Sequence, residues 1–122
     1  MTKKTEKDIL IIDFSDRKED QMIELIIESR NSIAIQNIPQ YALVIFNEKN
    51  FFTPKFMKFL RTEQTEANAL IVRQAIVGLS KTQLIILKGY NLITNRNIKA
   101  FSTKAEAIEY LLADKQSADG KN

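Results

Sequence analysis

Apolar residues in this chain come in short runs, each followed by a polar capping residue and then an amphipathic stretch. The runs cover residues 9–14, 41–46, 72–77 and 98–101, and the caps are Asp16, Thr53, Ser80 and Thr103. Ile9, Leu10, Ile11 and Ile12 do not alternate with polar residues, and neither do residues 42–46. Strands of that kind are covered on both faces. The third run is mixed, with Arg73 and Gln74 among Val72, Ala75, Ile76 and Val77. The fourth alternates, as a strand wetted on one side does.

The stretches between the runs read as helices. Met22, Leu25, Ile26, Ser29 and Ile33 form one stripe at three- and four-residue steps, and Pro39 bounds it. Asp16 with Glu19, Ser80 with Gln83 and Thr103 with Glu106 each fit a capping box. Thr53 followed by Pro54 marks the start of a second helix running to about Ala67. The third helix points Leu84, Leu87 and Leu92 inward, and Gly89 within it suggests close packing or a kink. The last helix places Ala107, Ile108, Leu111 and Leu112 toward the core.

Strands alternating with helices predict an α/β fold of four βα units around a mostly parallel, four-stranded sheet. Residues 8–113 form this one domain, with 1–7 as a flexible N-terminus and 114–122 as a frayed polar tail. Ligands of such sheets lie beyond the carboxyl ends of the strands. That directs attention to residues 15–16, 47–50, 78–82 and 102–103.

Composition narrows the chemistry. The 122 residues contain no cysteine and no histidine, which removes disulfides, the usual zinc ligands and every Ser–His or Cys–His nucleophile pair. No cofactor, metal centre or catalytic residue is expected. The net charge of +3 is spread among fifteen acids. The densest basic group, Lys55, Lys58 and Arg61, shares a helix with Phe56, Met57, Phe59 and Leu60, so it reads as a solvated face rather than a nucleic-acid surface. No apolar run approaches the ~20 residues that span a bilayer. The charged opening residues lack the apolar segment of a signal peptide, which predicts a cytoplasmic protein.

Candidate binding residues cluster at the strand ends. In the turn Gly78-Leu79-Ser80-Lys81-Thr82, free helix N–H groups and the Lys81 charge can hold an anion; alternatively Ser80 only caps the helix. Asn47, Phe51 and Phe52 lie on the same rim, where an exposed ring would mark a ligand or partner surface; filling the core is the other fate of such rings. Asp13 ends an apolar strand and could act as a base, a cation ligand or a phosphoacceptor; the commoner role of such a residue is to accept hydrogen bonds from its own loop. Arg73, Arg96 and Lys99 could converge near the fourth strand, but they are treated as structural.

Residues 72–112 contain A-I-V-G-L-S, then N-R-N-I-K, then F-S-T-K-A-E-A leading into an apolar helix. The start, I-I-D-F-S followed by E-D-Q-M-I-E-L, belongs to the same pattern. This chain resembles small bacterial STAS/CRAL-TRIO-related proteins, which are similar to sporulation anti-sigma-factor antagonists. The resemblance implies a βα superhelix shared by regulatory STAS domains and lipid-binding CRAL-TRIO domains. Such antagonists carry a phosphorylatable serine in an aspartate–serine–serine–glycine stretch, where this chain reads Phe52-Thr53-Pro54-Lys55. Thr53 alone could accept phosphate there. The expected function is a non-enzymatic STAS-like regulatory or interaction module that binds a protein partner or forms a homodimer. The homodimer follows if helices cover one sheet face only. The alternative is binding of a small apolar or anionic ligand at the carboxyl ends of the strands.

Overall fold

The apolar runs line up side by side in chain order. The computed structural model describes residues 3–6, 9–62 and 66–120. Its strands β1 (Lys3–Glu6), β2 (Ile9–Asp13), β3 (Gln40–Ile45), β4 (Ile71–Val77) and β5 (Lys99–Phe101) form one sheet in the order β1-β2-β3-β4-β5. β2 to β5 are parallel, as the alternation of strands and helices predicts. β1 pairs antiparallel with β2. It occupies part of the stretch read from composition as flexible; the open edge of β2 offers N–H and C=O groups that an adjacent extended segment can satisfy.

Strands in sequential order, joined by crossovers of one hand, carry their connecting helices on one face. Helices α1 (Glu19–Gln36), α2 (Pro54–Thr62) and α4 (Lys81–Thr94) contribute Met22, Leu25, Ile33, Phe56, Leu87 and Tyr90 to a core shared with Leu10, Ile12, Val44 and Ile76. The short α3 (Glu66–Ala69) precedes β4. Helix α5 (Lys104–Gly120) crosses to the opposite face. There Ala107 and Leu111 pack on Ile9, Ile11, Leu43, Ala75 and Val77.

Ile9, Leu10, Ile11 and Ile12 are 0%, 5%, 1% and 7% exposed in the single chain. The expectation that both faces of this strand are covered is met, but by α5 rather than by a second subunit. The argument that an uncovered face requires a homodimer therefore loses its premise.

Several local expectations change. Asp16 does not cap α1: it adopts a left-handed conformation (φ 65°) that aspartate tolerates in turns, and its carboxylate accepts from Asn47 Nδ2 at 2.8 Å. The N-cap is Lys18, whose backbone N–H donates to Gln21 Oε1 at 2.9 Å. The other two capping boxes form as the spacing predicts: Ser80 Oγ accepts from the Gln83 N–H, and Thr103 Oγ1 from the Glu106 N–H. Helix two is described over Pro54–Thr62, and its expected end near Ala67 falls within the described helix Glu66–Ala69, with residues 63–65 outside the described residues. Leu92 is 84% exposed, because α4 turns Tyr90 inward beside the expected Leu87. Nothing lies within 4 Å of a Cβ built on Gly89, so close packing does not explain this glycine. The backbone of α5 continues helically to Gly120, through the stretch that composition reads as a tail.

Candidate functional site

At the carboxyl ends of β2 and β3 the loops are tied to one another by side-chain amides. Asn50, only 2% exposed, donates from Nδ2 to the carbonyls of Phe14 (2.7 Å) and Arg17 (3.0 Å). It accepts the Asn47 N–H at Oδ1 (2.8 Å). Gln83 Nε2 donates to the Asn50 carbonyl at 2.8 Å, while Gln83 Oε1 accepts the Ser80 N–H at 2.8 Å. One glutamine thus completes a helix cap and anchors the neighbouring loop.

Asn47 is engaged with Asp16 and with the Lys49 N–H, and it does not line the cavity described below. Ser80 caps α4, and Lys81 and Thr82 are exposed. Gly78 sits at φ 89°, where a Cβ would meet the Phe46 carbonyl oxygen at 1.8 Å; it is there to let β4 turn against β3. Asp13 serves its own loop, accepting from the Ser15 N–H (2.9 Å) and Ser15 Oγ (2.6 Å). The Thr53 hydroxyl is occupied on both sides, accepting from the Phe56 N–H at 3.1 Å and donating to the Glu19 carboxylate. Lys55 lies 3.6 Å from Glu19 and 4.0 Å from Asp20, so acids flank the densest basic group.

The phenylalanines divide. Phe51 is 73% exposed, whereas Phe52 joins a row of rings with Phe14, Phe46 and Phe56 at centroid spacings of 4.9–5.9 Å. This row packs the carboxyl end of the space between the helices and the sheet.

Behind it lies a cavity of about 130 Å³ with an almost wholly apolar wall. The sheet supplies Ile12, Val44 and Ile76, α1 supplies Ile26 and Ile33, α2 supplies Met57 and Leu60, and α4 supplies Ile86 and Leu87. One polar group in this wall stands out. Ser29 is 3% exposed, and its Oγ is buried with no hydrogen-bond partner among the described residues. Buried hydroxyls nearly always have one.

The cavity meets a second, more polar cleft of about 370 Å³ at the amino ends of β4 and β5. Asn68, Ile71, Gln74, Arg96 and Ile98 line both. The turn after α4 sets Arg96 in place. Asn95 is left-handed (φ 57°), the Arg96 N–H donates to the Asn91 carbonyl at 3.1 Å, and the Asn91 amide holds Ile98 through bonds of 3.0 and 3.2 Å. Arg96 Nη2 then donates to Gln74 Oε1 at 2.9 Å. Arg73 lines the cleft from β4, its guanidinium 4.7 Å from the centre of the Tyr110 ring. Arg73 and Arg96 thus share one cleft, which Lys99 does not line.

The cavity runs between the helices and the sheet from the phenylalanine row at the carboxyl ends of the strands to their amino ends, where it meets the polar cleft. At the carboxyl ends the phenylalanine row forms one wall of the cavity, and Asn50 and Gln83 tie the loops together. Of the binding candidates named from sequence, Phe52 lines the cavity, and Gly78, Ser80, Lys81, Thr82, Asn47 and Phe51 do not; Arg96, read from sequence as structural, lines it too. Ser29, Gln74 and Tyr90 were not singled out as site residues. The available signal was a polar side chain at a core position of a stripe (Ser29) and of a strand (Gln74).

Among the described residues, no group of three or more acidic side chains is placed to hold a metal ion, and no helix is long and apolar enough to cross a membrane. Compared with known proteins, the chain matches no family model, no curated protein and no solved structure.

Proposed function

We propose that this protein is a non-enzymatic, STAS-like binding module whose cavity between helices and sheet takes a small, mainly apolar ligand. The observation that carries this reading is the orphan hydroxyl of Ser29 in the wall of an apolar space of about 130 Å³. An unsatisfied buried hydroxyl costs about 1–3 kcal/mol. A domain this small has about 5–15 kcal/mol of total stability. A ligand that fills the space and hydrogen-bonds Ser29 would recover a large part of that loss.

The likeness to STAS domains is supported by strand order following chain order, the arrangement of a βα superhelix. The non-enzymatic part is supported by the lack of histidine and cysteine and by Asp13 and Lys81 standing away from the cavity. Native mass spectrometry of the protein from its own cells tests the reading. Extra mass on the folded chain that leaves on unfolding supports it. A bare chain that also gains no thermal stability from small apolar probes overturns it.

A second reading, pairing with another copy, is favoured by an apolar stripe on α4. Ile85, Leu92 and Ile93 are 71%, 84% and 70% exposed around Gly89, whose missing side chain leaves room for a close approach. A sedimentation profile of a monomer at tens of micromolar would remove it.

A further inference from the structure

The walls of the two spaces differ in a way that specifies the ligand further. The cavity wall is mainly apolar, with Ser29, Tyr90 and Arg30 as its own polar groups, the Arg30 guanidinium lying 5.6 Å from the Phe59 ring, while the shared mouth carries Arg96, with Arg73 on the far side of the cleft. No aspartate or glutamate is among the residues lining either space, and Arg96 has no ion-pair partner among the described residues. Its one side-chain hydrogen bond is to the neutral Gln74 amide oxygen at 2.9 Å. That bond fixes the guanidinium plane at the mouth and leaves further N–H groups on the fork. A planar guanidinium held this way is suited to a carboxylate, which it can meet through two parallel bonds.

We infer that the ligand is a small amphipathic carboxylate, with its hydrocarbon part in the cavity and its carboxylate on Arg96; this rests on the proposed binding function. Size limits the hydrocarbon part. A space of about 150 Å³ accommodates one benzene, so about 130 Å³ takes a six-membered ring or a chain of roughly six carbons. The acyl chains of membrane lipids are too long for it. Acetate offers the charge without the buried part and should bind only weakly.

The test is calorimetric titration of the full chain with hexanoate, 1-hexanol and acetate, repeated on Arg96→Gln and Arg96→Lys. Charge-assisted hydrogen bonds predict that hexanoate binds about tenfold more tightly than 1-hexanol. Arg96→Gln should remove that preference while 1-hexanol binds as before, which also shows that the variant is folded. Arg96→Lys should retain only part of it, since a point charge replaces the fork. Equal binding of hexanoate and 1-hexanol, or an undiminished preference in Arg96→Gln, overturns the carboxylate assignment and leaves the cavity reading standing. Acetate binding as tightly as hexanoate also overturns it, because recognition would then not involve the cavity. If neither six-carbon probe binds, the cavity reading falls as well.

Discussion

Gly78 and Gly89 carry the same residue type for opposite reasons. At Gly78 the positive φ and the Phe46 carbonyl oxygen, 1.8 Å from where a Cβ would sit, leave no room for a side chain. At Gly89 the surroundings are open, and glycine simply weakens the helix. In urea denaturation, Gly78→Ala should lose about 2 kcal/mol or more, and Gly89→Ala should gain about 0.5–1 kcal/mol. A gain at Gly78, or a large loss at Gly89, would contradict this account of the two positions.

Ser29 supplies the other residue-scale prediction. A buried hydroxyl with a partner destabilises when removed, whereas an orphan does not. Ser29→Ala should therefore leave the unliganded chain as stable as before, or about 1 kcal/mol more stable, in the same denaturation experiment. A loss of more than 1 kcal/mol would mean that the hydroxyl is satisfied. Sequence placed Ser29 correctly on the core-facing stripe of α1. It could not show that the hydroxyl lacks a partner, because that depends on which atoms of α2, α4 and the sheet surround it.

Among the elements, those with local signals were the most legible. Ser80 with Gln83, Thr103 with Glu106, and Thr53 before Pro54 mark helix starts through bonds closed within four residues, and all three form. Asp16 failed because a partner 31 residues away, Asn47, competes for its carboxylate. Leu92 failed because a helix of mean apolar character offers more than one face to bury, and packing against the sheet chose Leu87 and Tyr90.

Helix α5 shows the same limit from the other side. Its apolar face was evident, but not that it would lie alone across the far side of the sheet. Leu111 is fully buried there against Ile9, Ile11 and Leu43. Leu111→Ala should cost about 2–5 kcal/mol. It should also raise binding of an apolar dye such as ANS, as the far face becomes wet. Unchanged stability would show that α5 does not cover that face.

For the whole molecule, runs of apolar residues separated by helical stretches were enough to define an α/β sheet with parallel strands, since each strand reports its own burial. The concave site was not legible in that way. It exists because side chains from α1, α2, α4 and three strands stop short of one another, and no single segment records the gap. The fold rule for open parallel sheets pointed to the carboxyl ends, but this chain walls that end with phenylalanines and ties its loops with Asn50 and Gln83. The polar cleft lies at the amino end, with Arg96 at the junction of an apolar and a polar space.

The most direct test of that arrangement is methyl NMR of the full chain during titration with benzene, a neutral probe matched to the cavity. The account predicts saturable shifts, and contacts to the probe, at the methyls of Ile12, Val44, Ile76 and Leu87, which line the cavity. Shifts confined to the exposed Leu92 and Ile93, or none at saturating probe, would contradict it.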